Sequence, residues 1–167
     1  RLNSNIKKIF VLFLLIISIF VNLYGAESFQ KSDKELVIML HGLGRASASF
    51  NKAEKALKKE GYVVYNIDYP STFYTIEDLC EKILNDKFIK YGIKDFKKVH
   101  FVTHSLGGIL VRYLYKYLPE NNFGRVVMLA PPNKGSEYVD YYSKTIFSDF
   151  LYGLPFKQLT TYPDSVP

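Results

Sequence analysis

The sequence predicts a three-layer α/β/α fold built on a mostly parallel sheet. Three observations carry this prediction. Four short runs rich in aliphatic, β-branched and aromatic residues occupy positions 35–40, 62–67, 98–103 and 125–130. The stretches between them place apolar residues at i, i+3 and i+4, so strand and helix alternate as they do when parallel strands are joined by crossover helices. The runs are nearly continuous in apolar character, which argues burial on both faces of the sheet. A chain of 167 residues that is 48% hydrophobic and 23% charged suits one domain with a sizeable core.

The elements follow in chain order. Lys7 and Lys8 precede Ile9 to Val21, an aliphatic and phenylalanine run broken only by Ser18, and Gly25-Ala26 comes after it. Residues 1–26 therefore read as a secretory signal peptide, because a spanning helix needs about 20 apolar residues. An uncleaved anchor through residues 6–24 is the competing reading, since Asn22, Leu23 and Tyr24 extend the run into an interface. Either way the remainder is expected to be exported, as a secreted or periplasmic protein. Residues 27–34 read as a polar linker and 35–167 as a single domain.

The first strand, Glu35 to Leu40, runs into His41-Gly42-Leu43-Gly44-Arg45. A helix follows with Phe50, Ala53, Ala56 and Leu57 inside, Lys52, Lys55, Lys58 and Lys59 outside, and Gly61 as its terminator. The second strand, Tyr62 to Ile67, leads to the turn residues Asp68-Tyr69-Pro70-Ser71. Thr75 and Asp78 form a partial capping box for a helix carrying Ile76, Leu79, Cys80, Ile83, Leu84 and Phe88 on one face, with Gly92 beyond its end. The third strand ends at Thr103-His104-Ser105, and Leu106, Ile109, Leu110, Tyr113, Leu114 and Tyr117 then recur at helical spacing. The fourth strand, Arg125 to Ala130, precedes Pro131-Pro132-Asn133-Lys134-Gly135-Ser136. Past it the pattern dissolves into Tyr138, Tyr141, Tyr142, Phe147, Phe150, Leu151, Tyr152, Leu154 and Phe156. These aromatics read either as a mobile apolar cap over a site or as ordinary packing.

Composition narrows the function classes. The net charge is +6, but Arg1, Lys7 and Lys8 precede the apolar run and every acidic residue follows it, leaving a modest excess on the rest. Without a long basic cluster or a reader motif, nucleic-acid binding is excluded as an expectation, while contact with an anionic membrane surface stays open. The single cysteine, Cys80, lies on the apolar helix stripe and reads as a buried packing thiol. Neither a C-x-x-C pattern nor paired histidines suggest a metal site.

Two motifs carry chemistry. A serine between a buried strand and a helix, with small residues after it, takes a strained backbone that lifts its Oγ clear of the sheet. Ser105 with Gly107 and Gly108 fits that description, although Thr103 stands where the G-x-S-x-G pattern has its first glycine. The glycine-containing loop after the first strand suits the second requirement of acyl transfer, preorganised N–H groups for an oxyanion, each donor being worth about 3–4 kcal/mol. The N–H groups of Leu106 and Leu43 are the two donors expected. In an open parallel sheet, sites lie outside the carboxyl ends of the strands, and both His41 and Ser105 fall there.

These residues together resemble the α/β-hydrolase superfamily, in its secreted lipase- and esterase-like branch. The H-G-x-G loop at His41, the T-H-S-L-G-G elbow at Thr103 and the A-P-P-N-x-G-S segment at Ala130 carry the likeness, which covers Leu36 to about Val139. The resemblance implies the α/β-hydrolase fold, C-terminally incomplete, and a small-molecule ester or lipid as substrate. It implies Ser105 as nucleophile, Leu43 and Leu106 as backbone donors, and supporting roles for His41, Gly42, His104 and Gly107. It calls for no cofactor. Thioesterase, acyltransferase and amidase chemistry are alternatives on the same scaffold, as is a non-catalytic binding protein. In this fold the order is serine, acid, histidine, yet the histidines are His41, His100 and His104, none after Ser105. Asp140, Asp149 and Asp164 are the acids available. The resemblance therefore implies a fragment whose acid and base lie past Pro167, and residues 27–167 alone are expected to hydrolyse esters barely above background.

Overall fold

The computed structural model describes residues 32–118, 120–144, 153–163 and 165, which belong to one compact unit. The expected signal or anchor, most of the linker, and Phe147, Asp149, Phe150, Leu151, Tyr152 and Asp164 lie outside the described residues. Four parallel strands, β1 (Ser32–Leu40), β2 (Val63–Ile67), β3 (Phe96–His104) and β4 (Phe123–Leu129), form a sheet in the order β2-β1-β3-β4. A 3₁₀ turn (Ser47–Phe50) opens into α1 (Asn51–Lys59) between β1 and β2. Helix α2 follows β2 in three continuous pieces, α-helical Ile76–Asp78, π-helical Leu79–Leu84 and α-helical Asn85–Lys90. Helix α3 (Leu106–Leu114) links β3 to β4, and the short α4 (Glu137–Tyr142) and α5 (Leu154–Lys157) come last.

The period-two alternation of strand side chains sorts the core into two layers. Leu36, Ile38, Leu40, Val99 and Phe101 are buried on one face with Leu79, Leu84 and Phe88 of α2 and Ile109, Leu110 and Leu114 of α3. Val37, Met39 and Val64 pack on the other face against Phe50, Ala53 and Leu57 at α1. Ala56, expected inside, is exposed. The helix after β2 starts as its capping residues predict, with Thr75 Oγ1 accepting the Asp78 N–H at 3.2 Å.

Element ends depart from the sequence reading for local reasons. β1 begins at Ser32, inside the expected linker, because Ser32 pairs with Phe96 across an irregularity before Glu35. β4 starts at Phe123 and stops at Leu129, since Ala130 turns out of the strand with φ 47°. Burial on both faces, expected of all four strands, fails at β4, where Val127 and Leu129 are 51% and 46% exposed. The α1 side of the core reaches only β1, β2 and Val102 of β3.

The described part of the aromatic tail divides: Phe156 is buried in the α2–α3 layer beside Val139 and Leu159, Tyr142 is partly buried against it, and Tyr138, Tyr141 and Leu154 are exposed. Residues 153–161 bridge two loops at the carboxyl end of the sheet. Leu154 donates its N–H to Thr72 O after β2 (3.1 Å), and Ser136 after β4 donates to Leu159 O (2.9 Å). Gln158 Oε1 accepts the Ile76 N–H at 2.7 Å, satisfying a free donor of the first turn of α2.

The strand order places the site. The chain moves from β1 to β2, then crosses back over β1 to β3, so the reversal lies between β1 and β3. Crevices at such reversals are where open parallel sheets bind ligands, and the residues delivered there are His41 and Ser105.

Candidate active site

Ser105 follows β3 directly and holds φ 49° and ψ −118°, a conformation that costs a non-glycine residue on the order of 1–3 kcal/mol. Neighbouring hydrogen bonds hold it there. Its N–H donates to Leu129 O at 2.9 Å and its C=O accepts from Gly108 N–H at 2.9 Å, so strand, elbow and helix are locked in one step. The glycines after it are required by close approach: a Cβ on Gly107 would stand 2.3 Å from Leu40 O of β1. On Gly108 it would stand 2.9 Å from Pro131 Cβ and 3.5 Å from Thr103 Oγ1. Thr103, in place of the expected small glycine, is therefore accommodated by a glycine on the facing helix.

The loop after β1 meets the elbow. A Cβ on Gly42 would lie 3.3 Å from Ser105 Cβ and 2.7 Å from His104 Nδ1, so Gly42 is in contact with both residues. Leu43 is partly buried against the main core, and Gly44 turns the loop at φ 62°, with Arg45 N–H bonded to Gly42 O at 3.2 Å. Ser105, Leu106, Gly107, His104, His41 and Gly42 are thus gathered at one point. Arg45 is exposed, as a solvated loop charge is.

His41 is 1% exposed and its two nitrogens are both engaged, Nδ1 with Gly42 O at 2.9 Å and Nε2 with the Tyr69 N–H at 3.4 Å. The Tyr69 ring stacks on it at 4.1 Å and 9°, and the Tyr69 hydroxyl donates to His41 O. Burial pushes that hydroxyl pKa well above its ordinary value. Ser71 Oγ accepts the Gly44 N–H at 3.0 Å. Tyr69 and Ser71 belong to a segment that reads from sequence only as a turn; its position at the carboxyl end of the second strand was the signal available. Asp68, next to them, is held below the usual carboxylate range by the backbone N–H and then the hydroxyl of Ser47, at 2.6 and 2.7 Å.

The other candidates stand apart. His100 bonds Glu35 Oε2 through Nε2 at 3.1 Å and accepts the Arg125 N–H on Nδ1 at 2.9 Å, filling the irregularity between β3 and β4. Asp140 accepts both the N–H (2.9 Å) and the hydroxyl (2.6 Å) of Thr161, which assigns it to holding the 153–161 segment. Cys80 is buried against Leu110 O at 3.6 Å, and burial first, then Glu77 and Glu81, push its thiol up to about 12. Among the described residues no group of three or more His, Cys, Asp or Glu is placed to hold a metal ion.

A model of the alpha/beta hydrolase family matches residues 37–164, from the second half of β1 through α5. The chain belongs to that family. Across 104 residues it is 31% identical to the lysosomal thioesterase PPT2-B of Xenopus laevis, covering 59% of this chain and 36% of that protein. Across 117 residues it is 26% identical to the lysosomal thioesterase PPT2 homolog of Drosophila melanogaster, covering 68% of this chain and 40% of that protein. The chain thus spans well under half the length of both. The crystal structure of the Bacillus licheniformis lipase BlEst2 in mature form is similar in fold, with a TM-score of 0.53 and 24% identity over 77% of this chain and 55% of that one. As in that family, the chain has a parallel sheet, and its β1 and β3 ends carry the loop and the elbow described above.

Proposed function

We propose that the protein is a serine hydrolase that cleaves acyl esters, of a small molecule or a lipid, through an acyl-enzyme on Ser105. The observation that carries the reading is the contact between the strained Ser105 and Gly42 at the β1–β3 reversal. Ser105 Oγ attacks the acyl carbonyl, and the N–H groups of Leu43 and Leu106 stabilise the oxyanion. Leu106 is the first residue of α3, where backbone N–H groups have no partner within the helix. The helix dipole at this end favours the same negative charge. The cycle requires a histidine, oriented by an acid, that takes the Ser105 proton and passes it to the leaving group before water releases the acyl group. His41 and His100 are committed to the structural bonds given above, and His104, which precedes Ser105 at the elbow, makes no hydrogen bond to it among the described residues, which supports placing the base elsewhere.

Thioester cleavage is the second reading, favoured by the names of the two relatives above. The same nucleophile and donors serve both, because the tetrahedral intermediate differs only in its leaving group. Export is proposed with either, delivered by residues 1–26 as signal peptide or anchor and supported by the lysosomal relatives. No helix among the described residues is long and apolar enough to cross a membrane. Contact with a membrane surface is proposed at the exposed Phe73, Tyr74 and Leu154, which lie at the carboxyl end of the sheet.

The test is turnover of nitrophenyl esters and acyl thioesters of several chain lengths by the full-length protein and its Ser105→Ala variant. Serine-dependent turnover is expected, and the preferred leaving atom chooses between the two readings. Turnover that survives Ser105→Ala, or a full-length protein with none, returns the chain to a binding role.

A further inference from the structure

We infer that His41 is a positioning residue whose neutral, Nδ1-protonated form aims the Leu43 N–H, and that Tyr69 locks that tautomer. The inference rests on the acyl-enzyme reading for its purpose, but not for its geometry. Gly42 O can only accept, so His41 Nδ1, 2.9 Å away, must carry a proton. The Tyr69 N–H can only donate, so it requires a bare Nε2 on His41, 3.4 Å away; Asp68 Oδ1, 3.9 Å from the same nitrogen, is beyond hydrogen-bond reach and its carboxylate is taken up by the N–H and hydroxyl of Ser47. The two bonds demand the same single tautomer. The stacked Tyr69 ring fixes the imidazole plane that both bonds need, and the Tyr69 hydroxyl holds the His41 carbonyl.

The consequence passes through one peptide group. No cis peptide occurs among the described residues, so the Gly42–Leu43 unit is trans, with its N–H opposed to its C=O. His41 Nδ1–H and Arg45 N–H both bond the Gly42 oxygen, which turns that oxygen into the loop and the Leu43 N–H away from it. The next N–H, of Gly44, is occupied by Ser71 Oγ. Leu43 N–H is therefore the donor of this turn that is presented outward, on the residue following the glycine that touches Ser105. Since a preorganised donor acts mainly in the transition state, loosening this peptide lowers kcat and leaves KM nearly unchanged.

Two measurements on the full-length protein test this separately from the chemistry. Imidazole ¹⁵N spectra at neutral pH are expected to show His41 protonated at Nδ1 and bare at Nε2; the opposite tautomer, or an imidazolium protonated at both nitrogens beside Asp68, overturns the inference whether or not the protein is an enzyme. In kinetics, His41→Leu is expected to lower kcat by about 100-fold with KM within about threefold. His41→Asn, whose side-chain amide can reach Gly42 O from the Nδ1 position, is expected to recover at least tenfold. Affinity for a boronic acid should fall in step with kcat/KM. If wild-type turnover depends on Ser105 while a folded His41→Leu keeps its kcat, the positioning role is wrong and the acyl-enzyme reading stands. If turnover survives Ser105→Ala, that reading falls while the tautomer result keeps its meaning.

Discussion

Ser105 and Ala130 stand side by side at the ends of neighbouring strands and are the two non-glycine residues, among those described, with positive φ, at 49° and 47°. Each lies one residue past the last register pair of the two strands, His104 with Leu129. Their turns are linked, because the Ser105 N–H bonds Leu129 O, immediately before Ala130. Pro131, immediately after it, packs on the Gly108 position of α3. The exit of β4 thus braces the elbow at the exit of β3.

That relationship predicts where strain can be released. Positive φ costs an L-residue about 1–2 kcal/mol, and glycine gives back about 0.4–1 kcal/mol through its freer unfolded chain. Ala130→Gly is therefore expected to stabilise the protein by about 0.5 kcal/mol, and Ser105→Gly to be more stable than Ser105→Ala by a similar or larger margin. Urea midpoints at constant slope measure both. A destabilised Ala130→Gly would show that the turn at Ala130 stores no strain.

Two glycines of the site separate space from conformation. Gly107→Ala sets a Cβ 2.3 Å from backbone Leu40 O, which neither β1 nor α3 can yield, so a loss of about 3 kcal/mol or failure to fold is expected. Gly44→Ala meets nothing within 4 Å and bears only the cost of its φ of 62°, about 1 kcal/mol. Equal thermal shifts in the two variants would contradict the backbone-to-backbone approach of β1 and α3.

The parallel sheet, the elbow and the loop were legible because each rests on a local pattern: apolar runs, helical spacing, and glycines flanking one serine. Tyr69 and Ser71 were not, since their roles depend on β2 lying beside β1, a pairing that no local spacing encodes. His100 was readable only as packing, because its bonds to Glu35 and Arg125 arise from irregular registers on both sides of β3. The open face of β4 contradicted an inference from composition: Val127 and Leu129 are as apolar as residues of a buried strand, and only the extent of the α1 layer tells them apart.

Thr103 tests the tolerance of the elbow. It is fully buried, faces the Gly108 position, and its Oγ1 has no hydrogen-bond partner among the described residues. A buried hydroxyl without a partner costs about 1–3 kcal/mol in mutational data. Thr103→Val keeps the shape and removes that cost, so a gain of about 1 kcal/mol is expected, whereas Thr103→Ser keeps the hydroxyl and removes a methyl, with a loss of similar size. Chemical denaturation decides between them, and a destabilised Thr103→Val would mean that the hydroxyl is bonded in solution.

The buried acids of the α2 side make the fold sensitive to base. The Cys80 thiol is pushed up to about 12 from an ordinary value of 9.0, chiefly by burial, and the Tyr69 hydroxyl is raised from 10.0 by the same cause. Above pH 9 the unfolded chain releases the Cys80 proton while the folded chain keeps it, so stability present below that pH is lost as pH rises towards 12. Each such proton contributes a slope of about −1.4 kcal/mol per pH unit, and Tyr69 adds a second above pH 10. Stability measured by urea unfolding from pH 8 to 11 should fall along this course, and Cys80→Ala should remove the onset near pH 9 while leaving that of Tyr69. The same burial predicts that a thiol reagent at pH 8 modifies Cys80 only as fast as the protein opens. Rapid modification of the native protein, or an alkaline slope unchanged in Cys80→Ala, would place the thiol outside the core.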